Sequence, residues 1–263
     1  MYGRLPIAKM LAATVALTAA ISAVMLPINW DGQAASTAAP KIDDLLSVMI
    51  VLSSFVFSLV MVMLFYALWK FKAKPGDESD GEPIHGNTRL EVAWTVIPTI
   101  IVLFGAGYSW SVLSDIEKPA DNPLTVDVFS QQYAWSFGYP GKDNVWSQGE
   151  LHVPVDRQVQ FKMHAQDVIH SFWVPEWRIK KDNVPGITTT AIVTPDKLGT
   201  YQLICTELCG FGHASMRAKV VVETPADFRK WVAALPEKVP APLADSIEQD
   251  TETNPVPVGA GGA

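Results

Sequence analysis

The chain has 263 residues, 49% hydrophobic and only 18% charged, with a net charge of −7. Soluble domains usually carry about 25% charged residues, so part of this chain is not built to face water. An acidic chain of pI about 5.2 has no electrostatic footprint for nucleic acid, which excludes that class of partner. Two cysteines, Cys205 and Cys209, are too few for a disulfide-dense scaffold or a four-cysteine zinc or iron–sulfur site.

The charge deficit is local. Three runs carry no charge: Met10–Trp30, Leu45–Trp69 and Val92–Ser114. Each exceeds the roughly 18–20 residues that cross a bilayer as a helix. The first follows Arg4 and Lys9, the build of a secretory leader. Residues 1–35 therefore read as a signal peptide or an uncleaved N-terminal anchor, with Ala23 and the Ala34–Ala35 pair as the two places for a cut. Residues 42–114 read as a two-helix transmembrane hairpin in the lipid bilayer. Trp69, Trp94 and Trp110 stand near its span ends, where aromatic rings favour the headgroup region. Pro98 inside the second run implies a local kink or an early turn, not a break. Lys70, Lys72, Lys74 and Arg89 lie between the spans, whereas the segment before the first carries only Lys41. Basic residues stay in the cytoplasm. The loop is then cytoplasmic, the cell membrane is crossed twice, and everything after Asp115 is extracytoplasmic.

That exported part alternates like strands. Val159, Phe161 and Met163 share one face, as do Tyr201, Leu203 and Cys205, and Ala218, Val220 and Val222. Turn signals at Tyr139-Pro140-Gly141, Pro154, Pro185-Gly186 and Leu198-Gly199 separate them. The pattern predicts an antiparallel β-sandwich or barrel over 115–234. It closes on a short helix at Pro225–Leu235, with Thr224 as N-cap. Residues 235–263, rich in Pro, Ala, Gly and acids, read as a disordered tail.

The densest chemistry lies between two of those strands, in Cys205-Thr-Glu207-Leu-Cys209-Gly-Phe-Gly-His213-Ala-Ser-Met216. Thiolate and thioether are soft donors that suit copper, and imidazole suits copper among other metals. Gly210 and Gly212 free the backbone to curl around a centre. A disulfide would leave His213 and Met216 without a task, and zinc rarely takes methionine. A single blue copper site uses one cysteine; two allow a pair of coppers to share both sulfurs. Met216 and the Glu207 carbonyl then serve as weaker axial donors, and one more histidine is needed. His170, in Val168-Ile-His-Ser-Phe-Trp-Val-Pro175, is the candidate; His152 and His164 remain open, and His85 sits on the cytoplasmic loop. Phe172, Trp173 and Phe211 offer an apolar shell.

Four segments together resemble subunit II of the haem–copper cytochrome c oxidases: His85–Pro98, His170–Pro175, Lys180–Gly186 and the loop 205–216. The likeness covers about residues 42–234. It implies an α+β membrane protein, a transmembrane helical hairpin followed by an all-β cupredoxin-like domain. It also implies a binuclear copper centre, CuA, with Cys205 and Cys209 bridging, His170 and His213 as ring-nitrogen ligands, and Met216 and the Glu207 carbonyl axial. The Glu207 carboxylate resembles the family's contribution to a magnesium site shared with subunit I. Glu91 matches a carboxylate near the entrance of a proton path, and equally reads as an acid compensating a helix dipole. Tyr133 stands where the family has the tryptophan that receives electrons from cytochrome c, while Trp135 reads as core. Implied partners are subunit I, which bears haem and CuB, the other oxidase subunits, and cytochrome c as donor. The function implied is electron transfer to subunit I for oxygen reduction coupled to proton translocation. Alternatives are a quinol oxidase subunit II, which lacks the copper ligands, and a membrane-anchored copper chaperone. No Cys-x-x-Cys-His occurs, so the chain has no fused c-type haem.

Overall fold

Each long apolar run forms a helix. In the computed structural model these are α1 (Ile7–Met25), α2 (Ala39–Lys70) and α3 (Thr88–Ile116). All three are long and apolar enough to cross a membrane. The structure describes residues 6–73, 75–76, 83, 85–140 and 145–235. Arg4, Lys74, Gly141 and the tail after Leu235 lie outside them. Two compact units result. One takes in residues up to Trp30 together with Ile42–Leu113; the other takes in Asp31–Lys41 and the chain from Ser114 onward.

Helix α1 stops at Met25, short of the uncharged run's end at Trp30. Pro27 has no N–H to continue the helical ladder. Helix α2 is 32 residues long, about 48 Å at 1.5 Å per residue, well beyond the roughly 30 Å hydrocarbon core. It begins where Ser36 Oγ accepts the Ala39 N–H (3.2 Å). At the start of α3, Asn87 Oδ1 accepts the N–H groups of Arg89 (3.1 Å) and Leu90 (3.3 Å). These are the donors an N-cap must satisfy. Pro98 lies inside α3 without ending it.

The second unit is a β-sandwich. Its strands are β1 (Leu124–Gln131), β2 (Ala134–Tyr139), β3 (Val145–Gln148), β4 (Glu150–Pro154), β5 (Val159–Ala165), β6 (His170–Val174), β7 (Ile179–Asn183), β8 (Thr189–Val193), β9 (Gly199–Cys205) and β10 (Arg217–Glu223). One sheet runs β3-β2-β1-β5-β8 and the other β4-β10-β9-β6-β7. The alternation read from sequence holds: Val159, Phe161, Met163 and Ala165 are buried and the residues between them half-buried. One expectation needs amending. The sandwich is not wholly antiparallel, because β1–β5 and β4–β10 pair in parallel. Such pairings join strands distant in sequence, and local alternation carries no sign of them.

The core joins both inner faces: Val126, Phe137, Leu151, Phe161, Phe172 and Leu203 are all fully buried. Helix α4 (Pro225–Ala233) closes one side. Thr224 Oγ1 accepts the Asp227 N–H (3.2 Å), and Pro225 occupies the first turn, the arrangement expected of a capped start. Its Trp231 stacks flat on His152 at 3.8 Å.

Candidate metal centre

The pairing of β6 with β9 brings the metal-ligating types together. Phe172 lies opposite Cys205, and His170, two residues along, shares its face because side chains alternate. The Thr206 N–H donates to the Ser171 carbonyl (3.1 Å), pinning the start of the loop to β6. At the far end Cys205 N–H donates to Met216 O (3.1 Å), so the loop closes on itself. A short 3-10 turn, His213–Ser215, carries the second histidine.

The donors converge. Cys205 Sγ lies 3.9 Å from His170 Nδ1 and 3.4 Å from the Glu207 carbonyl oxygen. Cys209 Sγ lies 3.7 Å from both His213 Nδ1 and Met216 Sδ. The two sulfurs are 3.9 Å apart, far beyond the roughly 2.05 Å of a disulfide, and both cysteines are free. Cys205, Cys209, His170 and Met216 are all buried. This soft, converging donor set fits copper. His152 and His164 are held elsewhere. His152 lies between Trp231 and Glu223, its Nδ1 2.9 Å from the carboxylate. His164 stacks on Phe129 at 4.6 Å.

Electrostatics separates the two thiols. Burial raises Cys205, but hydrogen bonding to His170 and to the backbone at Ser171 and Glu207 outweighs it and brings the thiol down to about 6. Cys209 is pushed up by burial and then by the neighbouring Cys205 thiolate. Burial lowers His170, yet hydrogen bonds to Cys205 and Asp167 raise it on balance.

Two residues that the sequence reading passed over complete the surroundings. Asp167 Oδ1 lies 2.8 Å from His170 Nε2, which leaves Nδ1 as the ring nitrogen facing the sulfurs. The other oxygen, Oδ2, accepts the Gln132 N–H (2.7 Å). Gln132 Nε2 then donates to the Cys209 carbonyl (2.5 Å). Asp167 sits three residues before His170, and that spacing was the available signal.

Next to Gln132, Tyr133 is 41% exposed, with its ring against the loop. A Cβ built on Gly212 would lie 2.5 Å from the ring, and one on Gly210 would lie 2.5 Å from the hydroxyl. Gly210 has φ +133, so its backbone freedom is used. Gly212, at φ −85, does not use that freedom; it is small because the tyrosine needs the space. Trp135 is buried, its ring edge-on to His170 at 6.3 Å. Phe172 is buried too, but Phe211 is fully exposed and is no part of an apolar shell. The loop turns its side chain outward while the sulfurs turn in. Glu91 Oε1 accepts the Asn87 N–H (3.0 Å), a reciprocal cap on α3.

Known proteins match along most of the chain. Residues 27–112 fit the family described as cytochrome C oxidase subunit II, transmembrane domain, and residues 145–224 fit its periplasmic domain. The cytochrome c oxidase subunit 2 of Synechocystis sp. is 35% identical, covering 86% of this chain and 83% of its own. The quinol oxidase subunit 2 of Bacillus subtilis is 31% identical, covering 75% of this chain and 63% of its own. Among solved structures, the periplasmic domain of subunit II of cytochrome oxidase (CoxB) of Bradyrhizobium japonicum is 28% identical. It covers 44% of this chain and 94% of that one, with a TM-score of 0.42. With both family descriptions matched in order along the chain, and a relative 35% identical over most of both lengths, the chain belongs to the cytochrome c oxidase subunit II family.

Proposed function

We propose that this chain is the electron-accepting subunit of a respiratory cytochrome c oxidase, its β domain outside the cell membrane holding a binuclear copper centre. The observation that carries the reading is the convergence of six donors: both sulfurs, two ring nitrogens, a thioether and the Glu207 carbonyl. A subunit that takes electrons from quinol has no use for that set. When bound, the copper pair would accept one electron at a time and share its charge over both ions.

The chain's own residues then have separate tasks. Cys205 and Cys209, kept apart by the loop rather than joined, would hold the copper through their sulfurs. Asp167 fixes the His170 ring and its tautomer. Burial excludes water from the sulfurs, which limits rearrangement when charge arrives. Tyr133, half-exposed and packed on the loop, is the point of electron uptake from cytochrome c. The half-buried Glu207 would supply a carboxylate ligand for a magnesium ion shared with subunit I. Glu91 serves as a cap on α3 and as a carboxylate at the entrance of a proton path in subunit I.

Oxidation of reduced cytochrome c by the purified oxidase containing this chain tests the reading. It predicts turnover with cytochrome c that falls at least 100-fold in Cys209→Ser. Turnover with quinol alone, indifferent to Cys209→Ser, would overturn it.

A further inference from the structure

Residues 31–37 lie between α1 and α2 in sequence, and the β domain holds them with a set of bonds that no role so far explains. Arg178, between β6 and β7, donates from Nη1 to the carbonyls of Asp31 (2.8 Å) and Pro175 (2.9 Å) and from Nη2 to that of Gly32 (3.0 Å). Lys197 Nζ donates to the Ala34 carbonyl (2.6 Å). The Ala35 N–H donates to Glu176 O (2.7 Å), and its carbonyl accepts the Asp196 N–H (3.3 Å). Ser36 Oγ donates to Trp177 O (2.9 Å), and the Thr37 N–H donates to Thr194 O (3.0 Å). Ala35 and Ser36 are fully buried.

These partners come from two connections. Residues 175–178 join β6 to β7 within one sheet, and residues 194–198 join β8 of the first sheet to β9 of the second. The segment therefore ties an in-sheet turn to a crossover between sheets, which is the work of an extra strand. The carbonyls of Asp31, Gly32 and Ala34 each receive a charged donor, and charge-assisted bonds of this kind are the stronger ones. A cut at the Ala34–Ala35 pair would remove all three acceptors. It would also place a charged amine at a buried residue, a costly position without a partner.

We infer that residues 31–37 are a structural strap of the β domain, and that any removal of the leader occurs N-terminal to Asp31, at Ala23 rather than at Ala34–Ala35. The inference uses only the contacts of the β domain and holds whatever metal that domain binds.

Intact mass and N-terminal peptide sequencing of the full-length chain purified from membranes test it directly. The expected first residue is Val24, or another at or before Asp31, including an uncut chain. Any first residue after Asp31 would overturn the inference. Limited thermolysin digestion supplies a second readout. Cleavage between Ala34 and Thr37 should be at least tenfold faster in Arg178→Ala than in the parent. It should be faster, by less, in Lys197→Ala, whose exposed side chain donates to the strap at the Ala34 carbonyl. If Arg178→Ala fails to fold, Lys197→Ala decides. Cleavage in Lys197→Ala at the parent rate would contradict a strap held by these donors.

Discussion

Tyr133 and Gly212 form the most exacting contact at the residue scale. Any side chain on Gly212 must move the tyrosine ring, since its Cβ would come within 2.5 Å of it. Gly212→Ala should therefore slow reduction by cytochrome c about tenfold while copper content stays unchanged. Stopped-flow kinetics alongside metal analysis checks this, and an unchanged rate would remove Tyr133 from the route. Asp167→Asn keeps the shape but not the charge beside His170. Second-sphere changes of this kind weaken metal binding about 10–100-fold, which competition with a copper chelator would measure. The five side-chain donors were legible as residue types, four of them at fixed spacing in one loop with His170 remote, and the sixth, the Glu207 carbonyl, followed from its place between the two cysteines. Asp167 and Gln132 were not, because carboxamides and carboxylates are common surface residues and only the fold brings these two to the loop. The exposure of Phe211 was hidden for a similar reason, as a loop's periodicity does not say which side chains turn inward.

Among elements, the packing of α4 on β2 and β4 offers a test of stability. Tyr139 is fully buried and its hydroxyl serves both sides of His152, accepting its N–H (2.8 Å) and donating to its carbonyl (3.0 Å). Burial pushes the Tyr139 phenol well above its ordinary value of 10. A raised folded-state value means the stabilising effect is complete below pH 10 and is lost as pH rises beyond it. The urea midpoint of the β domain should hold steady from pH 7 to 9 and fall above pH 10. Tyr139→Phe should be about 1–3 kcal/mol less stable at pH 8, because a buried N–H loses its acceptor. It should lose less than the parent above pH 10; an equal alkaline fall would assign the effect to other groups. The strands themselves were readable from period-two alternation, since one face of each is buried. Their parallel pairings were not, because register between distant segments is a property of the assembled sheets.

For the whole molecule, the low charge fraction resolves into three apolar helices and a β-sandwich of ordinary composition. The strap adds a qualification that sequence alone concealed. A polar, alanine-rich stretch beside an apolar run reads as leader or linker, yet main-chain groups of Asp31, Gly32, Ala34, Ala35 and Thr37 pair with the β domain. The central claim concerns what the buried sulfurs hold. It is tested most directly by copper analysis and electron paramagnetic resonance of the full-length chain, loaded with copper after reduction of Cys205 and Cys209. The account predicts about two coppers per chain, the number that two shared thiolates and two histidines accommodate, and a seven-line signal from one unpaired electron shared between them. One copper per chain with an ordinary four-line signal would contradict it.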